Sequence, residues 1–299
     1  MTKSNQKSQE EEFRLESIIE YDLNMGRTKS LVEAIAPTLD DLNINKKEAD
    51  QICTALASLE KEPVSNWLVM LEHLMKGLIR ETPTGSQAFF DTDDFDWVKD
   101  VEARFPLITE EVNTVMSNHD LIPTFQAIQK DQEDLTNDDL WKVVVFRGYG
   151  TNVKEIISSF PEIMKTLNMI PGWSTGMISI LSPGKKIPVH EGPYAGVLRY
   201  HLGLKIPENC GIQVKRISKE WVEGKSLIFD DSFEHRAWNQ SSESRAILFV
   251  DFLRPLPFPL NVLNKFVVFK LIGESSFIKD TENNHKKYDR LVESVKSTA

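Results

Sequence analysis

Two histidines in the second half of the sequence, His190 and His235, stand forty-five residues apart, each just after a β-rich stretch. Imidazole is a good ligand for iron(II), and the usual non-haem iron site joins two histidines to one carboxylate with positions left open. That carboxylate commonly stands two residues after the first histidine, because strand alternation points i and i+2 to one side. Here the position is Gly192, and the neighbouring acid, Glu191, should point away. A lone histidine in a β-protein is more often a hydrogen-bonded core or surface group than a ligand, so the pair needs support from its surroundings. Arg245 lies ten residues after His235, across a polar turn and at the start of the next β-rich run. A guanidinium there can grip a carboxylate in bidentate fashion, although an isolated arginine more commonly makes a rim salt bridge. Arg199 and His201, two apart, share one strand face and can add donors to the same anion, and Ser179 on the preceding run offers a hydroxyl.

The elements that must position these groups are short. Residues 143–146, 177–181, 196–202, 212–214, 226–229 and 246–250 are β-rich. They are separated by turn signals at Ser182-Pro183-Gly184, Pro207-Glu208-Asn209, Glu223-Gly224-Lys225 and Ser241-Ser242-Glu243-Ser244. Many short strands with turns at regular intervals predict an antiparallel sandwich or barrel. Before them the texture is helical. Leu31, Ile35 and Leu39 recur at four-residue spacing, as do Ile52, Leu56 and Leu59 approximately, and Asn45 precedes Lys46-Lys47-Glu48 as an N-cap would. A further helix is expected over 67–79, a linker over 81–96, and a helix over 97–116 interrupted at Phe105-Pro106. Residues 1–12 read as a disordered tail, 13–82 as a helical N-terminal region and 273–299 as a polar C-terminal tail.

Composition excludes several classes of function. A net charge of -10 repels phosphate backbones, so nucleic acid is not expected as a partner. Two cysteines, Cys53 and Cys210, are too few for a secreted disulfide scaffold, which predicts a reducing, cytoplasmic setting. No signal peptide and no run of 18 apolar residues appear, so no transmembrane segment is expected. The short apolar run 266–272 is read as a buried element.

The β-rich half closely resembles the aspartyl/asparaginyl β-hydroxylase family over about residues 90–255. The resemblance rests on residues 179–184, Pro188-Val189-His190-Glu191-Gly192-Pro193, residues 198–204 and Trp221-Val222-Glu223-Gly224-Lys225. It continues through Phe229-Asp230-Asp231-Ser232-Phe233-Glu234-His235 and Arg245. It implies an α+β fold: a double-stranded β-helix, jelly-roll or cupin-like core over 90–272, with flanking helices and the N-terminal helical segment. It also implies hydroxylation of an unactivated C–H bond with iron(II) and 2-oxoglutarate as co-substrate. His190 and His235 then match the iron ligands, and Gly192 matches the subgroup in which water fills the carboxylate position. Arg245 and Ser179 match the binders of the distal carboxylate of 2-oxoglutarate, and His201 and Arg199 the groups near its other end. Asp230 and Asp231 are expected to order the loop that presents His235.

The substrate favoured by this likeness is an aspartyl- or asparaginyl-type amino acid, peptide or protein. A lipid acyl chain is the alternative within the family, and halogenation a minor one at the vacant position. A non-catalytic β-sandwich that binds an acidic ligand through Arg245 and Arg199 is the alternative outside it. A homodimer through the N-terminal helices is also expected.

Overall fold

The computed structural model describes residues 50, 54, 74–129, 135–148, 151–272 and 285–298 of the chain. Two compact units emerge: Met1–Leu78 with Phe258–Val262, and Ile79–Pro257 with Leu263–Ala299. The expected N-terminal tail, the helices before residue 74 and the dimer surface they were to form lie outside the described residues, apart from isolated positions. All that follows concerns the second unit.

Its strands are β1 (Phe89–Phe90), β2 (Trp141–Gly148), β3 (Thr151–Asn152) and β4 (Trp173–Leu181). They continue as β5 (Lys186–His190), β6 (Val197–Lys205), β7 (Cys210–Val214) and β8 (Ile217–Glu220). The last three are β9 (Ser226–Phe229), β10 (His235–Asn239) and β11 (Arg245–Leu253). A seven-stranded sheet runs β1-β9-β6-β11-β4-β2-β3 and a four-stranded sheet β5-β10-β7-β8, with antiparallel pairing throughout. From β4 onward the chain passes back and forth: β4, β6, β9 and β11 join the large sheet, β5, β7, β8 and β10 the small one. That order is a jelly roll, the double-stranded β-helix expected from the sequence.

Both faces of the large sheet are covered, which is why β4, β6 and β11 read as continuous apolar runs instead of alternating ones. On β6 and β11 the outward residues Tyr200 and Phe252 meet Trp97, with ring centroids 5.1 and 5.3 Å away. Their neighbours Arg199, His201, Phe249 and Asp251 take the opposite, inward face. Helices cover the outside. The expected interruption at Phe105-Pro106 separates α1 (Val98–Ala103) from α2 (Phe105–Ser117), because a proline near a helix start gives up an amide that has no partner there anyway. Ile108, Val112 and Val115 form the buried stripe of α2. Phe160, just before a further helix α3 (Pro161–Leu167), packs its ring against Phe146 of β2.

The reading of 273–299 as a polar tail misses a helix, α4 (Asp289–Thr298). Its charged residues leave one narrow apolar stripe, and Leu291, Val292 and Val295 bury it in the core. Tyr288, one residue before, is 2% exposed and closes part of the β2 edge left open by the sheet. Its hydroxyl accepts the Val145 N–H at 3.1 Å and donates to the Val143 carbonyl at 3.0 Å. Tyr288→Phe leaves both strand groups without that partner in a site closed to water. It is therefore expected to lower stability by about 1–3 kcal/mol, read as a shift in the urea midpoint. A shift near zero would show that the C-terminal helix does not seal this edge.

Candidate active site

The turn Ser182–Lys185 brings the chain from the large sheet into β5. Gly184, at φ 76, takes the left-handed position that a Pro-Gly turn of this kind requires. β5 ends on His190 and β10 begins on His235, and the small sheet pairs these two residues directly. Their ring centroids are 4.0 Å apart. Each Nδ1 lies 2.9 Å from a carbonyl two residues back, that of Pro188 for His190 and that of Phe233 for His235. A carbonyl only accepts, so both Nδ1 atoms carry the proton and both Nε2 atoms keep a lone pair. Burial lowers the pKa of both rings. That of His235 falls to about 3, through burial first and then the neighbouring charges of His190 and Arg199. Two neutral imidazoles anchored at Nδ1 have the form in which histidine ligates a metal, so this donor pair fits a divalent ion. Among the described residues no group of three His, Cys, Asp or Glu side chains could hold a metal together.

The position of the missing carboxylate is filled from elsewhere. A Cβ at Gly192 would overlap the buried carboxylate of Asp231, and the Gly192 N–H donates to the Asp231 carbonyl at 2.7 Å. Asp231 was expected only to order its loop; its side chain in fact occupies the space that a side chain at Gly192 would need. Burial raises its pKa, and Arg199, with Nη2 2.8 Å from Oδ2, opposes that rise. Asp230 has the expected loop-ordering place. Arg80 and Arg254 each bring Nη1 to 2.8 Å from its Oδ2, and Ser232 donates its backbone N–H to Oδ1 at 3.0 Å.

The anion-binding candidates lie on the inward face of the large sheet. Arg199 is already compensated: Nε donates to Asp251 Oδ1 at 2.8 Å and Nη2 to Oδ2 at 3.2 Å, besides its contact with Asp231. Arg245 is not. It is 1% exposed, donates from Nη1 to the Ser179 carbonyl at 3.2 Å and lies 4.5 Å over the Trp221 ring. Among the described residues no carboxylate forms an ion pair with it and its Nε has no hydrogen-bond partner. Burial lowers its pKa to about 9. His201 accepts the Trp221 indole N–H at Nδ1, 3.2 Å away, and its Nε2 has no partner among the described residues. Ser179 accepts the indole N–H of Trp141 at its hydroxyl oxygen, 3.0 Å away. The Phe229 ring touches both His201 and His235, with centroids at 4.9 and 6.3 Å, and so joins the two groups of side chains.

Trp221, Asp231 and Asp251 had no site role in the sequence reading. Asp251 had a legible signal, since an acid inside the apolar run 246–253 must find a buried partner. Trp221 and Asp231 stood in the motifs that carry the family likeness, but their contacts were not legible, because their neighbours come from strands far away in sequence.

A direct check follows from the Gly192–Asp231 overlap. Gly192→Ala is expected to cost about 1–3 kcal/mol through overpacking, and Asp231→Ala to remove most of that cost in the double variant. Strict additivity in the denaturation midpoints would mean that the carboxylate does not fill this space.

A family described as "Aspartyl/Asparaginyl beta-hydroxylase" matches residues 102–255. The ornithine lipid ester-linked acyl 2-hydroxylase of Rhizobium tropici is 39% identical over 209 residues, covering 69% of this chain and 74% of that protein. The aspartyl/asparaginyl beta-hydroxylase of Homo sapiens is 35% identical over 164 residues, 53% of this chain; the match spans only 21% of the human protein. Among solved structures, the Cupin_2 domain of an XRE family transcriptional regulator from Enterobacter cloacae aligns at a TM-score of 0.28 and 14% identity, covering 39% of this chain and 99% of that one. The β-helix core thus lies largely inside the matched segment, His190, His235 and Arg245 included, and the chain belongs to the aspartyl/asparaginyl β-hydroxylase family, a family of hydroxylases.

Proposed function

We propose that this chain is an iron(II)- and 2-oxoglutarate-dependent hydroxylase acting on the acyl chain of a lipid. The observation that carries the cofactor reading is Arg245, a fully buried guanidinium with no carboxylate partner among the described residues. A buried, unpaired cation is costly, and a site that keeps one is built to receive an anion. On this reading Arg245 and the Ser179 hydroxyl take the far carboxylate of 2-oxoglutarate. His201 serves its other end together with Arg199, whose charge Asp251 and Asp231 already balance. His190 and His235 hold the metal through Nε2, and the Asp231 carboxylate fills the space that a side chain at position 192 would need.

When bound, iron(II) with 2-oxoglutarate and dioxygen supplies the oxidation, in which one oxygen atom enters the substrate C–H bond and the other the succinate formed with loss of carbon dioxide. The chain itself holds the two imidazoles neutral, fixes their orientation through Pro188 and Phe233, and buries the anion pocket away from water.

The lipid reading is supported by the Rhizobium tropici relative, whose likeness runs over 209 residues and most of both chains, against 164 for the human protein. The second reading, an aspartyl or asparaginyl residue in a peptide or protein, is supported by that human relative. No helix of the described residues is long and apolar enough to cross a membrane. The low cysteine content supports action in the cytoplasm.

Purified protein with iron(II) and ascorbate is expected to turn 2-oxoglutarate into succinate, and His235→Ala to abolish this. Arg245→Gln is expected to raise the KM for 2-oxoglutarate about 100-fold by removing a buried charged fork, and Arg245→Lys to recover only part of that loss. Succinate formation that survives His235→Ala would sink the metal assignment; an unchanged KM in Arg245→Gln would sink the pocket. Mass spectrometry for one added oxygen, on ornithine lipid in one arm and an aspartate-containing peptide in the other, separates the two substrates.

A further inference from the structure

Three histidines surround the proposed site, and they are wired in opposite ways. His190 and His235 place Nδ1 against carbonyls, so their lone pairs lie on Nε2. His201 is the reverse. Its Nδ1 lies 3.2 Å from the indole Nε1 of Trp221, and an indole N–H only donates. The Nδ1 of His201 therefore carries the lone pair. A doubly protonated ring would have no acceptor to offer, so the ring is neutral and its proton sits on Nε2. That Nε2 is buried and has no partner among the described residues. The ring cannot rotate freely to exchange its two nitrogens, since Phe249 packs beside it at 5.2 Å and Phe229 meets it edge-on at 4.9 Å.

The same indole has a second task. Trp221 is 4% exposed, immediately follows β8, and presents its ring face to the Arg245 guanidinium at 4.5 Å. Its edge thus sets the proton of one donor while its face carries the other. We propose that Trp221 is the positioning residue of the co-substrate pocket: it fixes His201 as an Nε2–H donor to an anionic oxygen. This rests on the reading of the pocket as one for a dicarboxylate 2-oxo acid. Position 221 acts through its neighbours and touches neither metal nor substrate carbon. Without the indole N–H, His201 is free to place its proton on Nδ1, and a lone pair on Nε2 would then face the anion and repel it.

The test uses the full chain labelled with nitrogen-15 at histidine, free of metal. Two-bond proton–nitrogen correlation spectra are expected to show His201 as the Nε2–H tautomer and His190 and His235 as Nδ1–H tautomers. Trp221→Phe keeps an aromatic face beneath Arg245 and deletes only the N–H. It is expected to raise the KM for 2-oxoglutarate about ten-fold with kcat within about two-fold. His201→Gln supplies an amide N–H with no tautomer to fix; in that background Trp221→Phe is expected to change KM less than about two-fold. A merely structural tryptophan would lower stability and kcat in both backgrounds alike. An Nδ1–H tautomer at His201, or a KM in Trp221→Phe equal to that of the unaltered enzyme, overturns the proposal. Should Trp221→Phe fail to fold, the spectrum of the unaltered protein decides the matter by itself. That spectrum needs neither iron nor turnover. Absent succinate with the expected tautomers would therefore remove the oxygenase reading and leave the wiring of His201 supported.

Discussion

Between its two sheets this β-helix holds buried arginines, histidines and aspartates, and the cost of that interior orders everything around it. Taking one unpaired charge from water costs several kcal/mol, comparable to the whole net stability of a domain. Each buried charge left unmatched therefore takes a large share of the stability available. Asp230 is met by Arg80, Arg254 and Ser232, and Asp251 by both arms of the Arg199 fork. Neutral imidazoles avoid the cost altogether, which burial enforces at His190, His201 and His235. Against this background of matched charge, Arg245 is the exception among the described residues: it is buried and no carboxylate forms an ion pair with it.

Pairing across sheets also explains why single elements carry so little of the site by themselves. β6 and β11 are neighbours in register, so that His201 lies opposite Phe249 and Arg199 opposite Asp251. That register makes the Arg199–Asp251 fork a cross-strand pair. In the small sheet the pairing of His190 with His235 sets the metal-type pair, with a register shift next to it in which β5 carries the extra residue. A one-residue slip of either strand would turn the paired imidazoles to opposite faces. The loop of Asp230 and Asp231 opposes such a slip, since it is tied at one end to Arg80 and Arg254 and at the other to the Gly192 amide.

Much of this was legible in the sequence, and the reason is physical. Short apolar runs punctuated by Pro-Gly, Glu-Gly and serine-rich turns can bury themselves in few ways, and Gly184 and Gly224 do adopt positive φ in those turns. The order of strands between two sheets came from likeness to a family, as did the grouping of Ser179, His201 and Arg245, since no spacing rule connects residues brought together by a jelly roll. What was missed is what depends on three dimensions alone. The close approach of Asp231 to Gly192 joins residues 39 positions apart, one in the loop after β5 and the other in the loop before β10. The C-terminal helix was missed because three apolar residues in a charged segment make too weak a stripe to distinguish from a solvated tail.

Asp231 and Gly192 also show how position 192 goes without a side chain and yet faces a buried acid. A side chain at 192 would enter from the β5 side and collide with that carboxylate. Here the acid approaches from the β10 side, and Arg199 stands beside it with Nη2 on Oδ2. Burial pushes this carboxylate toward its protonated form and the Arg199 guanidinium opposes that, so the space at position 192 is taken by an acid that the protein itself already balances. The same arginine is shared with Asp251, so the bare position at 192 and the pairing of Arg199 belong to one charge arrangement. Changing either alters what the other has to balance.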